Sequence, residues 1–180
     1  MKCLLFLLLT GSLGLFGGLV PTSAQTPAQA PPSAPTSDRQ PLRVWQGRYP
    51  HHEVRGPRGR VQKISFFKLP ALRKPLAEML GEDFLDGVEQ GNYLEEPIEL
   101  FGDYLLVRLY PNLRRIEDEH RLIIVVPLEG TALHAVYYQE VTGADGQRDI
   151  QTDWRHSFGT SLDDLPESLK TRLATIMGLP

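Results

Sequence analysis

Apolar and polar positions change period several times along the chain, and each period predicts an element. Leu69, Leu72, Leu76, Met79 and Leu80 recur at spacings of 3, 4, 3 and 1, one face of a helix. Pro70 suits the first turn, whereas Pro75 predicts a kink, or a short turn followed by a helix starting at Pro75. Gly81 marks the stop. Phe84, Leu85 and Val88 form a second short helical face before Gly91-Asn92. Ile98 and Leu100, then Leu105, Val107 and Leu109, alternate with their neighbours around Gly102-Asp103, which reads as a hairpin. Leu122 to Val126 is an unbroken aliphatic run, so a central strand covered on both faces and ending at Pro127 and a Glu129-Gly130 turn. Thr131 to Val141 is a further strand that sets His134 on one face with Ala132, Val136 and Tyr138. Gly143 to Gly146 turns into a strand near Asp149 to Arg155 that contributes Trp154. Leu165, Leu169, Leu173 and Ile176 line a closing helix, with Pro166 in its first turn and Asp163-Asp164 as its cap region.

This order predicts an α+β fold. A mostly antiparallel sheet of four to five strands carries N-terminal helices and a C-terminal helix packed on it, with the helices mainly on one face. Residues 64–180 form this domain, long enough to bury a core without covalent staples.

The N-terminus has another pattern. Lys2, the dense apolar stretch Leu4 to Leu9, and a Gly/Leu run to Val20 ending at Pro21-Thr22-Ser23-Ala24 have the layout of a secretory signal peptide over 1–24. Thr22 and Ala24 place cleavage between Ala24 and Gln25. The rival is an uncleaved anchor, but Leu4 to Val20 is 17 residues with four glycines, short of the roughly 20 that span a bilayer. Residues 25–41 hold Pro27, Pro31, Pro32, Pro35 and Pro41 among small polar residues and predict an extended linker. Cys3 is the single cysteine and would leave with the peptide, so an intrachain disulfide, a thiolate zinc site and a catalytic thiol are not expected. An exported chain without a disulfide fits a periplasmic or secreted location.

Charge divides the rest. Asp38 to Lys68 carries eight Lys/Arg against two acidic residues, a formal +6, while Leu69 to Pro180 carries ten Lys/Arg against twenty Asp/Glu, a formal −10. Residues 42–63 therefore read as a basic arm, which lies on its own domain, contacts an anionic envelope lipid or glycan, or is a solvated loop. Trp45, Tyr49, His51 and His52 interleave with its arginines, a mixture that stacks on sugars or bases. An export signal and a pI near 5.9 argue against nucleic acid. Adjacent His51 and His52 point apart on an extended segment, and no metal site is expected there.

No Gly-x-Ser-x-Gly elbow, phosphate-binding loop, dinucleotide fingerprint or His-Glu-x-x-His helix occurs, so the expectation is a non-enzyme without cofactor. Glu117-Asp118-Glu119-His120 is the densest polar cluster and reads as a solvated loop beside Arg114, Arg115 and Arg121. A hydrolase would need Glu117 or His120 in a pocket. His134 reads as a packed strand residue, and Asp145, Asp149 and Asp153 lack calcium-loop spacing.

Phe67-Lys68-Leu69-Pro70, Leu80-Gly81, Tyr93, Glu96-Pro97-Ile98 and Gly102 to Val107, then an aliphatic strand, His134-Ala135-Val136-Tyr137 and a tryptophan before an amphipathic helix, run in an order that resembles the periplasmic inhibitor-of-vertebrate-lysozyme family. The resemblance covers about residues 64–178 and implies that family's fold and a role in binding a lysozyme-like or other envelope enzyme. The family's inhibitory loop, Cys-Lys-Pro-His-Asn/Asp-Cys, corresponds here to Leu109 to Arg114, where only Pro111 matches. The family's disulfide and histidine mechanism therefore maps onto no residue of this chain. Tyr110, Pro111, Asn112, Leu113, Arg114 and Arg115 are the candidate partner-binding residues, because aromatic and arginine side chains are enriched at binding hot spots.

Overall fold

The computed structural model describes residues 42–115, 119–144 and 146–179. The signal segment 1–24, the linker 25–41, Glu117, Asp118 and Asp145 fall outside the described residues.

The fold is α+β, with eight strands, three α-helices and short 3-10 turns among the described residues. Strands β1 (His51–Arg55) and β2 (Val61–Ser65) form an antiparallel hairpin. Helices α1 (Pro70–Leu80) and α2 (Glu82–Glu89) follow, joined at Gly81, whose φ of 92° is open to glycine and closed to larger residues. Pro75 neither divides nor delays α1, which runs through it. Then come β3 (Tyr93–Glu95), β4 (Glu99–Phe101), β5 (Tyr104–Pro111), β6 (Arg121–Pro127), β7 (His134–Thr142), β8 (Arg148–His156) and the closing helix α3 (Glu167–Met177). β7 starts later than its residue pattern predicts because Ala132, at φ 52°, belongs to the preceding turn.

The main sheet is antiparallel, in the order β3-β5-β6-β7-β8, and β4 also pairs with β5. It has six strands rather than four to five. The addition is β3, which pairs with Leu109–Pro111 while β4 pairs with Tyr104–Leu106, so the two lie end to end along one edge of β5. Glu96-Pro97-Ile98 interrupts them. Pro97 has no N–H to give to a ladder, and the Ile98 amide donates instead to the Arg48 carbonyl at 2.8 Å, while Gly47 N–H donates to the Ile98 carbonyl at 2.8 Å.

Those two bonds help to fasten the N-terminal segment to the sheet, and of the three readings of 42–63 they favour the one in which it lies on its own domain. The 3-10 turn Leu42–Trp45 buries both its end residues, Trp45 to 3% exposure. Trp45 packs edge-on against Phe66, with ring centroids 5.2 Å apart, and Phe66 meets Phe67 in the same way. The arginines stay exposed while the few apolar side chains among them dock. Apolar burial outweighs the charge pattern, because charges on the outer side of a hairpin remain hydrated.

The helices occupy both faces, not mainly one. On one face α1 and α2 cover Leu105, Val107, Leu109, Leu122, Ile124 and Val126. On the other, α3 brings Leu169, Leu173 and Met177 against Leu106, Ile123, Val125, Val136 and Tyr138. The reason lies in β6, whose five consecutive aliphatic residues point alternately to the two sides, so each side needs a cover. Arg172 of α3 also forks onto Glu99 of β4, with bonds of 2.9 and 3.0 Å. No described helix is long and apolar enough to cross a membrane.

Candidate functional site

β5 carries Tyr110 and Pro111 to the rim of the sheet, and the chain then turns at Asn112. The Asn112 amide donates to the Asn92 carbonyl at 2.9 Å and its side chain to the Gly91 carbonyl at 3.4 Å. Its own carbonyl accepts from Arg115 N–H at 2.7 Å, and its Oδ1 accepts from Arg114 N–H at 3.3 Å. The Arg115 guanidinium reaches back to the Gln90 carbonyl. Asn112 and Arg115 are therefore spent on tying the loop to the α2–β3 turn.

Leu113 and Arg114 face outward, Leu113 at 64% exposure. Leu94 of β3, 57% exposed, is the cross-strand neighbour of Tyr110 and extends the apolar surface. Beside the loop lies an open cleft of about 400 Å³ bordered by Tyr110, Pro111, Leu113, Glu119, Arg121 and Gln139. Arg121 stands over the Tyr110 ring at 5.8 Å and the Tyr138 ring at 6.0 Å. Burial, helped by the hydrogen bond to Glu96, pushes the Tyr110 hydroxyl up to about 12, so it stays a neutral donor. Of the six sequence-derived residues, Leu113, Arg114 and Arg115 are exposed and Tyr110, Pro111 and Asn112 half-buried, and Asn112 and Arg115 also hold the loop in place. His120 lies beside β6, half-buried.

A second polar cleft, of about 570 Å³, opens where the β1–β2 hairpin meets α2 and β3. His51 sits between two carboxylates, its Nε2 3.0 Å from Glu89 and its Nδ1 bonded to Glu95, which also accepts the His51 amide at 2.9 Å. Glu89 accepts in addition from Ser65 Oγ and Lys68 Nζ, each at 2.6 Å. The Glu95 bond, working against burial and aided by Glu89, raises the His51 pKa. Burial by itself would raise the Glu89 carboxyl, but its hydrogen bonds from Lys68, Ser65 and His51 outweigh that and hold it at about 2. A carboxylate at each ring nitrogen favours the imidazolium, in which both N–H groups are occupied. In that form the ring fastens the hairpin to the sheet and has no lone pair to take a proton.

His52 lies on the opposite side, with its ring 5.0 Å from Trp45. The two adjacent histidines do point apart. Sequence reading missed this cluster, since Glu89 and Glu95 lie 38 and 44 residues from His51, and no local spacing signals such a convergence. His134 is buried on β7 with Nδ1 2.8 Å from Nδ1 of His156, and burial followed by the His156 charge lowers its pKa to about 4.

Comparison with protein-family models, with curated proteins and with solved structures returns no match.

Proposed function

We propose that this chain is an exported, non-enzymatic binding protein whose β5–β6 loop, Tyr110 to Arg115, contacts a protein of the cell envelope, in keeping with the lysozyme-inhibitor family its sequence resembles. The observation that carries this reading is Leu113 held in solvent beside Tyr110 on a loop whose base is already hydrogen-bonded. An apolar group presented by an ordered backbone loses little further entropy on binding. Hydrogen bonds at Asn112 and Arg115 take the structural place that a disulfide holds in the family's loop. A formal −10 over residues 69–180 favours encounter with a basic partner, as lysozyme-type enzymes are. The saturated ring of His51 supports a structural cluster there in preference to an acid/base site.

The test is binding and inhibition of c-type and g-type lysozymes and of native peptidoglycan hydrolases at two salt concentrations. Saturable inhibition is expected, with affinity at least about tenfold weaker in Tyr110→Ala/Arg114→Ala and in Leu113→Asp, as for hot-spot residues. Absence of binding at both salts, or variants that bind like the parent, overturns the reading.

A second reading rests on the hairpin tip. Arg55, Arg58 and Arg60 are exposed around the Pro57–Gly59 turn, a compact cationic point suited to anionic lipid or glycan. Sedimentation with anionic vesicles that falls steeply with salt and disappears in Arg55→Glu/Arg60→Glu supports it. Vesicle binding indifferent to salt removes it.

A further inference from the structure

β8 ends the main sheet, and among the described residues no strand pairs with its outer edge. Two bonds bracket its ladder with β7 and fix which groups face outward. Gly143 N–H donates to the Gln147 carbonyl at 2.8 Å and Ser157 N–H to the Leu133 carbonyl at 2.9 Å. In an antiparallel ladder hydrogen-bonded pairs alternate with non-bonded ones. In the β7–β8 register, Asp149, Gln151, Asp153 and Arg155 therefore bond to β7. The N–H and C=O groups of Arg148, Ile150, Thr152, Trp154 and His156 point to the open edge. The Ile150 amide has a local cap, its neighbour Asp149 Oδ1 at 2.8 Å.

A nine-residue open edge is a template for another strand, and proteins normally guard such edges with charge. Here the charges are arranged so that one register of self-pairing is favoured. With Thr152 opposite Thr152 across a two-fold axis, Asp149 of each copy faces Arg155 of the other, and Ile150 of each faces Trp154 of the other. Ile150 and Trp154 are both partly buried against the α3-side core, so pairing extends an existing apolar surface. Moving the axis by one residue to Gln151 sets Asp149 opposite Asp153 twice, and by one residue to Asp153 sets Asp153 opposite itself. Like charges directly opposed destabilise a strand pair, while opposite charges and aliphatic–aromatic pairs stabilise it.

We propose that this chain forms a two-fold symmetric dimer in which β8 pairs antiparallel with β8 of a second copy, centred on Thr152, making one continuous sheet through both molecules. The interface is isologous, so each favourable pair occurs twice. On pairing, Asp149 leaves the Ile150 amide for Arg155 of the second copy, and that amide joins the ladder between the strands. A single strand pair buries less than a permanent interface does, so association is concentration-dependent and is followed at about 1–100 μM protein.

The test is sedimentation velocity of the full chain across that concentration range. The mass is expected to rise from 20.2 kDa toward twice that value. Thr152→Pro removes an outward N–H that the monomer does not use, which an edge strand tolerates, and is expected to stay monomeric with an unchanged circular dichroism spectrum. Arg155→Asp, and Asp149→Arg carried with Asp153→Asn so that an axis at Gln151 gains no Arg–Asp pair, each set like charges opposite one another and are each expected to be monomeric alone. Mixed in equal amounts, they restore both attractive pairs and are expected to dimerise, as is the double charge swap in one chain. A parent chain that stays monomeric throughout overturns the proposal. So does a dimer that persists unchanged in these charge variants alone, or a mixture that associates no better than its components, and these two readouts hold whether or not Thr152→Pro folds.

Discussion

Glu89→Gln isolates the ionic cluster that clips the β1–β2 hairpin to the sheet. Glutamine keeps the shape and one acceptor oxygen, and it loses the charge that His51 and Lys68 answer. A carboxyl held at about 2 instead of 4.5 binds its proton about 300-fold more weakly folded than unfolded, equivalent to about 3.4 kcal/mol before solvent screening. Glu89 keeps 19% of its side-chain exposure and Lys68 is largely in water, so roughly half of that, about 1.5 kcal/mol, is the expected loss. The pH dependence carries the sharper prediction. Because the Glu89 pKa is depressed on folding, its contribution is present above 4.5 and disappears as pH falls through about 2. Because the His51 pKa is raised on folding, its contribution is present below 6.5 and disappears as pH climbs through the raised value. The difference in unfolding free energy between parent and variant is therefore largest between pH 4.5 and 6.5 and narrows on both sides. Urea unfolding followed by tryptophan fluorescence over a pH series measures it. A gap that stays constant with pH, or one below about 0.5 kcal/mol everywhere, refutes the ionic account of this cluster.

Trp45→Ala is expected to cost about 3–5 kcal/mol, as for other large-to-small aromatic core changes, and to increase tryptic cutting at Arg55, Arg58 and Arg60. Unchanged stability and cutting would mean that the 42–65 segment is not part of the packed core. Ile124→Ala on β6 should lose about 2–5 kcal/mol in urea unfolding, and a loss under about 1 kcal/mol contradicts the central position of that strand. In a proton–carbon NMR titration, His134 should titrate at about 4 and His51 above 6.5. Since folding lowers the His134 value, that ring withdraws stability as pH falls from 6.5 toward 4. Coincident midpoints for the two rings would refute both environments.

Elements with a strong local period were legible in the residues. Leu169, Leu173 and Ile176 lie on α3, while Leu165 closes the preceding 3-10 turn and Pro166 is the helix N-cap, outside its first turn; Gly102-Asp103 joins β4 to β5 as the alternation around it predicts. The aliphatic run of β6 even carried the need for two covers, although which helix supplies which cover did not follow from it. The loop from Tyr110 to Arg115 could be placed between two strands, but which of its residues are free (Leu113 and Arg114) and which are tied to the neighbouring turn (half-buried Asn112 and exposed Arg115) could not. That partition depends on carbonyls of Gln90, Gly91 and Asn92, supplied by a different turn.

What the sequence alone determined is thus each interaction written within a few residues: helix faces, strand alternation, turn positions and the sign of charge along the chain. What only the tertiary structure decided is every interaction between distant segments. Residues 42–63 look like a hydrated arm because arginines dominate their composition, yet Leu42 and Trp45 are sealed into the core by Phe66 and by residues of the sheet beyond them. The same folding step brings His51 between Glu89 and Glu95 and turns Ile98 from β5 to Arg48. Composition averages over a segment, whereas burial acts on single side chains and is set by whatever surface the rest of the chain presents to them.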